Sequence, residues 1–172
     1  MKEIVNRSSF VAFLVCGILA CVNAHAMQNE PRDFNGVPWG AALEDHKQGL
    51  TLVSGDDVVA YYRRAAGTNT FAGIDAWRIS YRFYKNRFSS VTVTIVGINN
   101  FNAMLSHLTK TYGAADSVNP RHRIYVWEGA DAGVMTSCDI SISCYVEFYG
   151  KAMRDVEVAE RGNAPSRIKQ DD

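Results

Sequence analysis

Cys138 and Cys144 carry the sharpest chemical signal in this 172-residue chain. They bracket Asp139-Ile140-Ser141-Ile142-Ser143, a five-residue connection between two predicted strands. Reactive dithiols usually have two intervening residues and a helix start that lowers the thiol pKa. The longer spacing instead predicts a disulfide staple across a hairpin, with a pair of free buried thiols as the alternative. Closing so short a loop stabilises a fold by about 2 kcal/mol in the chain-entropy account.

Other reactive side chains are dispersed. His46, His107 and His122 lie in no zinc-ligand spacing, so no metal or cofactor is expected. His107 falls on the side of its predicted helix away from Phe101, Leu105 and Leu108, as a surface residue would. Glu44, Asp45 and His46 are helix neighbours that do not face one another. Asp56 with Asp57, and Glu128 with Asp131, sit beside glycines in predicted turns, where carboxylates hydrogen-bond the local backbone. No serine occupies a nucleophile elbow, and no glycine-rich loop opens a helix to cradle phosphate. These residues assign no catalytic group.

A binding chemistry is easier to assemble. If Trp77, Ile79, Tyr81 and Phe83 face a core, then Arg78, Ser80, Arg82 and Tyr84 project together on the opposite face of their strand. Tyr145, Glu147 and Tyr149 alternate likewise with Cys144, Val146 and Phe148. Arginine and tyrosine bury area while keeping directed donors, the composition enriched at protein interfaces. The candidate binding residues are therefore Arg78, Arg82, Tyr84, Tyr145 and Tyr149, and joint replacement of Arg78 and Arg82 by serine is expected to leave the thermal midpoint nearly unchanged.

The elements that must hold these residues follow from period and punctuation. Residues 58–64, 77–83 and 88–97 read as strands, with Lys85-Asn86-Arg87 as a hairpin turn. Period changes at Asn99, where Phe101, Leu105, Leu108 and Tyr112 line one side of a helix ended by Gly113. A shorter helix over 41–48 buries Ala42 and Leu43 and stops at Gly49. After a connector at 114–120, strands are predicted over 123–128, 134–138 and 144–149. The implied fold is α+β: a meandering antiparallel sheet with two main helices packed on one face, in the pattern of a degenerate helix-plus-three-strands duplication.

This domain occupies 34–150. Residues 27–33, polar and interrupted by Pro31, read as a flexible leader, and 151–172 as a polar tail, partly disordered after about Gly162. Residues 1–26 have the layout of a signal peptide: Lys2 and Arg7, an apolar run at 10–22, then Ala24-His25-Ala26 as a small-x-small cleavage site. That run is too short for a hydrocarbon core of about 30 Å, so no stable membrane span is expected. A rival is Ile18-Leu19-Ala20-Cys21, which resembles the bacterial lipobox and would anchor a lipoprotein through Cys21. Removal of Lys2, Glu3 and Arg7 with the leader converts a net charge of +0 into one excess negative charge. A near-neutral exported chain is a poor partner for nucleic acid. Oligomeric state is not fixed by these features.

Phe34-x-Gly36-Val37-Pro38-Trp39-Gly40, followed by a short helix with a leucine and acidic residues, resembles an opening motif of small exported bacterial proteins of unknown function. The resemblance implies a single α+β domain outside the cytoplasm, with the helix ending Tyr112-Gly113 and the strand containing Trp127 where similar elements would sit. It implies no catalytic residue. The sequence thus points to a periplasmic or secreted, non-catalytic binding or inhibitor-like module acting on an envelope protein or polymer. The alternative is an envelope hydrolase with a site built from dispersed residues.

Overall fold

Alternating apolar and polar side chains build eight strands of the chain into one antiparallel sheet. The computed structural model describes residues 27–67, 69–138 and 143–162. The expected signal peptide, the Cys21 lipidation site, the inner part of the cysteine loop and the tail beyond Gly162 lie outside the described residues.

In chain order the elements are β1 (Asp33–Phe34), β2 (Val37–Pro38), α1 (Leu43–His46) with a 3-10 turn at Lys47–Gly49, β3 (Leu50–Gly55), β4 (Val59–Arg64), β5 (Thr70–Phe71), β6 (Ile74–Asp75), β7 (Arg78–Tyr84), β8 (Arg87–Val96), α2 (Ile98–Tyr112), β9 (Ser117–Asn119), β10 (Ile124–Glu128), β11 (Ala132–Cys138), β12 (Ser143–Gly150) and α3 (Lys151–Gly162). Eight strands form the main sheet in the order β3-β4-β7-β8-β12-β11-β10-β9, and β1-β2 and β5-β6 are separate two-stranded hairpins. Each half of the main sheet is a four-strand meander that begins at an edge and ends at the centre, where β8 and β12 pair antiparallel. A helix precedes each meander, so the repeating unit is a helix plus four strands. The two strands beyond the expected three are the edge strands β3 and β9.

Tight turns fix the register. Lys85 and Asn86, at φ 46° and 59°, occupy the left-handed region and bring Tyr84 opposite Arg87, the geometry of a two-residue hairpin whose twist matches the strands. Asn35 and Gly36, at φ 53° and 80°, do the same for Phe34 and Val37. The opening motif therefore folds as a hairpin plug: Phe34 packs on Phe71, Tyr81 and Phe148, and Trp39 stacks on Phe88.

One sheet face and α2 enclose the core, which includes Tyr81, Val91, Val93, Trp127, Val146 and Phe148. From α2, Phe101, Met104, Leu108 and Tyr112 are buried. Leu105, expected at the centre of this stripe, is only half-buried. Residues 104 and 105 flank the line through Phe101 and Leu108 on opposite sides, and the helix is rolled so that the sheet covers Met104.

Three further expectations are corrected. Trp77 is not in the core stripe but 61% exposed: the chain bends there before β7 begins, Ala76 is buried in its stead, and Phe71 of the β5-β6 hairpin fills the aromatic cluster. Residues 27–33 are held rather than loose. The Gln28 amide and Asn29 side chain donate to the Tyr112 and Thr111 carbonyls, and the Glu30 carboxylate accepts from the backbone amides of Ala130, Asp131 and Ala132. Burial works against the Glu30 charge, but those amides outweigh it and hold the carboxyl below its usual range. The segment from Lys151 to Gly162, expected to begin the tail, is the helix α3. This additional helix covers the polar side of the sheet, whereas α2 covers the apolar side.

Candidate binding surface

The polar face is organised in rows by the strand register. Tyr61, Arg82, Ser90, Tyr149 and Gly133 stand opposite one another across β4, β7, β8, β12 and β11. Two residues along the strands, Ser80, Thr92, Glu147 and Met135 form the next row, and Arg78, Thr94, Tyr145 and Ser137 a third.

α3 lies over the first row, held mainly by charge. Both terminal nitrogens of Arg82 donate to the Glu157 carboxylate at 2.7 and 2.5 Å, and Arg161 reaches the same carboxylate at 2.6 Å. Tyr84 donates to Glu160, which also pairs with Lys85. The Arg154 guanidinium rests 4.1 Å from the Tyr149 ring centre, a cation–π contact. Tyr149 donates to Glu128 at 2.6 Å, and burial together with that bond raises its phenol pKa. Its ring lies over Gly133, where any Cβ would strike it. Meanwhile Val156 and Val158 of α3 face solvent, and the one buried side chain described on this helix is Glu157.

Arg82, Tyr84 and Tyr149 are therefore not the exposed binding residues expected from alternation. The period placed them on the correct face, but α3 covers that face with its charged side, while Ala152, Val156 and Ala159, which share a helical stripe, are turned to solvent. Arg78 and Tyr145 do remain on the open part of the face. There the structure adds residues that alternation did not single out, namely Tyr61, Arg63, Trp77 and Thr94. They line a groove of about 1140 Å³ together with Arg78 and Leu52. The Arg78 guanidinium lies 4.2 Å from the centre of the Trp77 ring. Neither Arg63 nor Arg78 makes an ion pair with a carboxylate among the described residues.

Glu157 and Glu160 connect this docking to pH. The hydrogen bond from Arg82 holds the Glu157 pKa below its usual value, and those from Lys85 and Tyr84 do the same for Glu160. Depressed carboxylate pKa values stabilise the docked state above the ordinary glutamate range, and the contribution disappears as pH falls through the lowered values. Protection of the α3 amides, corrected for the intrinsic pH dependence of exchange, is accordingly expected to fall at pH below the ordinary glutamate range before the core strands lose theirs. Equal loss of protection in β8 and α3 would contradict ionic docking.

Cys138 and Cys144 are disulfide-bonded and stand directly opposite in the β11-β12 ladder, with Cα atoms 4.0 Å apart. Both are buried, as a structural staple requires. Replacing both by serine is expected to cost about 2 kcal/mol in reversible denaturant melts; unchanged stability would remove the staple role.

The other sequence-level candidates have local partners. Asp56 accepts from the Val58 and Val59 amides in the β3-β4 turn, and Glu128 is engaged by Tyr149 and Lys151. His107 is half-buried with its ring edge against Phe71, not the free surface residue expected. Among the described residues no three His, Cys, Asp or Glu side chains gather as metal ligands, and no helix is long and apolar enough to cross a membrane. No family model, curated protein or solved structure matches this chain.

Proposed function

We propose that this chain is an exported, non-catalytic binding module whose open polar face receives an acidic segment of an envelope protein. The observation that carries this reading is α3 itself. Two carboxylates of the same chain already occupy the neighbouring part of the face, Glu157 on Arg82 and Glu160 on Tyr84 and Lys85. Arg63 and Arg78 offer the same chemistry beside an exposed indole, with no internal carboxylate to satisfy them among the described residues. Guanidinium next to an aromatic surface is well suited to fork-shaped carboxylate recognition and to stacking. The described lining of the groove combines Arg63, Arg64 and Arg78 with Tyr61 and Trp77, a composition suited to binding an anionic segment. Residues of the opening motif serve the hairpin plug, in keeping with a family resemblance of scaffold rather than of site.

Export to the periplasm or medium rests on the signal-like residues 1–26 and is compatible with the disulfide. Intact mass of the exported form is expected to correspond to a start at Met27; an acylated Cys21 would place the protein on a membrane as a lipoprotein instead. For binding, tagged protein purified from envelope fractions should retain an acidic partner that Arg63→Ser/Arg78→Ser fails to retain while keeping its thermal midpoint. Retention unchanged by the double substitution, or retention of a polymer alone, would overturn the proposal.

A further inference from the structure

Resting on the binding reading above, we infer that the partner segment docks as an added β-strand on the free edge of β3, alternating apolar and acidic residues. β3 is the first strand of the main sheet and pairs on one side with β4. Natural edge strands are commonly protected by charge, proline or brevity. β9, at the opposite edge, is three residues long and is followed by Pro120 and Arg121. β3 is six residues long, Leu50-Thr51-Leu52-Val53-Ser54-Gly55, with neither charge nor proline, and Leu52 and Val53 are 57% and 55% exposed.

The ladder phase identifies the open main-chain groups. The Ala65 amide donates to the Gly49 carbonyl, so with Leu50 opposite Arg64 and Leu52 opposite Tyr62, the outward-pointing residues of this antiparallel pair are Leu50 and Leu52. The Leu50 amide is used by the Lys47 carbonyl. That leaves the Leu50 carbonyl and both the amide and carbonyl of Leu52 facing away from β4. A bulge between Leu52 and Ser54 confines regular pairing to this half of the strand.

Side-chain alternation then specifies the partner. Thr51 shares the polar face with Arg63, its opposite residue, whereas Leu52 shares the other face with Tyr62. Directly opposed residues on neighbouring strands lie on the same face. A ninth strand would therefore set acidic residues beside Thr51, within reach of Arg63, and apolar residues over Leu52. A second copy of β3 fits less well, because it brings a second set of unpaired guanidiniums and no acid.

The test uses full-length protein and a capped, fluorescein-labelled peptide of alternating valine and glutamate, read by anisotropy and by exchange of the Leu52 amide. Expected results are saturable binding, slowed Leu52 exchange in the complex, and binding weakened about tenfold by Leu52→Pro and by Arg63→Ser. Proline at this outward amide removes no bond to β4 and is a tolerated edge position. Should Leu52→Pro misfold, Leu52 amide exchange in the unsubstituted protein decides alone. Binding that Arg63→Ser weakens while Leu52→Pro and Leu52 exchange are unaffected would overturn strand addition and leave the acidic-face reading standing. Binding of alginate but not the peptide would overturn both in favour of an anionic polymer, and binding of neither would overturn both outright. A concentration-dependent dimer abolished by Leu52→Pro would replace the partner with a second copy.

Discussion

Arg82→Ser is expected to lower unfolding free energy by about 2–4 kcal/mol, because it removes the two-pronged partner of the largely enclosed Glu157 carboxylate and leaves the exposed Arg161 as its remaining ion pair. Arg78→Ser, two rows along the strand from the row that α3 covers, should change stability by less than about 0.5 kcal/mol. The contrast follows from geometry alone: Arg82 forms a two-pronged pair with Glu157 at 2.5 and 2.7 Å, whereas Arg78 lies on the exposed Trp77 ring. Denaturant melts measure the cost, and amide exchange locates it, since loss of protection should begin in α3. Equal destabilisation by the two substitutions would mean that α3 is not what distinguishes the two halves of the face.

A comparable effect is expected in the core. Met104→Ala should cost about 2–5 kcal/mol, because Met104 is fully enclosed between α2 and the sheet and its removal leaves a cavity that its neighbours cannot fill. Leu105→Ala, at a half-buried position, should cost less than about 1.5 kcal/mol, as the site opens to water rather than enclosing a void. Matched melts of the two variants decide the roll of the helix; a larger loss at Leu105 would place the wrong side against the sheet.

The same two cases mark how far sequence carries. Period-two alternation from Ile79 to Phe83 and from Val91 to Ile95 identified the core-facing side of β7 and β8, and the Lys85-Asn86 turn marked their hairpin. Helical period located α2, but Phe101, Leu108 and Tyr112 define a stripe whose margin accepts either Met104 or Leu105. Tertiary packing alone chooses between them. β3 escaped notice because its residues are mostly exposed, leaving no buried face to alternate. α3 escaped for a related reason: its docking residues are Glu157, Glu160, Arg154 and Arg161, which read as a solvated tail unless Arg82 and Tyr84 are known to lie opposite. Arg78 and Tyr145 were legible as a binding surface, while Tyr61, Arg63 and Trp77 joined it through strand order and a bend that no local pattern encodes.

Indole signals offer the most direct test of an open acidic-segment site beside a closed one. The chain has three tryptophans, and two have internal partners: Trp39 donates to the Pro31 carbonyl and Trp127 to that of Gly113. Trp77 stands at the groove. Titration of ¹⁵N-labelled protein with the alternating valine–glutamate peptide should shift the Trp77 indole resonance and leave those of Trp39 and Trp127 in place, with the Trp77 shift lost in Arg63→Ser/Arg78→Ser. Saturable binding that leaves the Trp77 signal unmoved would contradict the assignment of the open polar face.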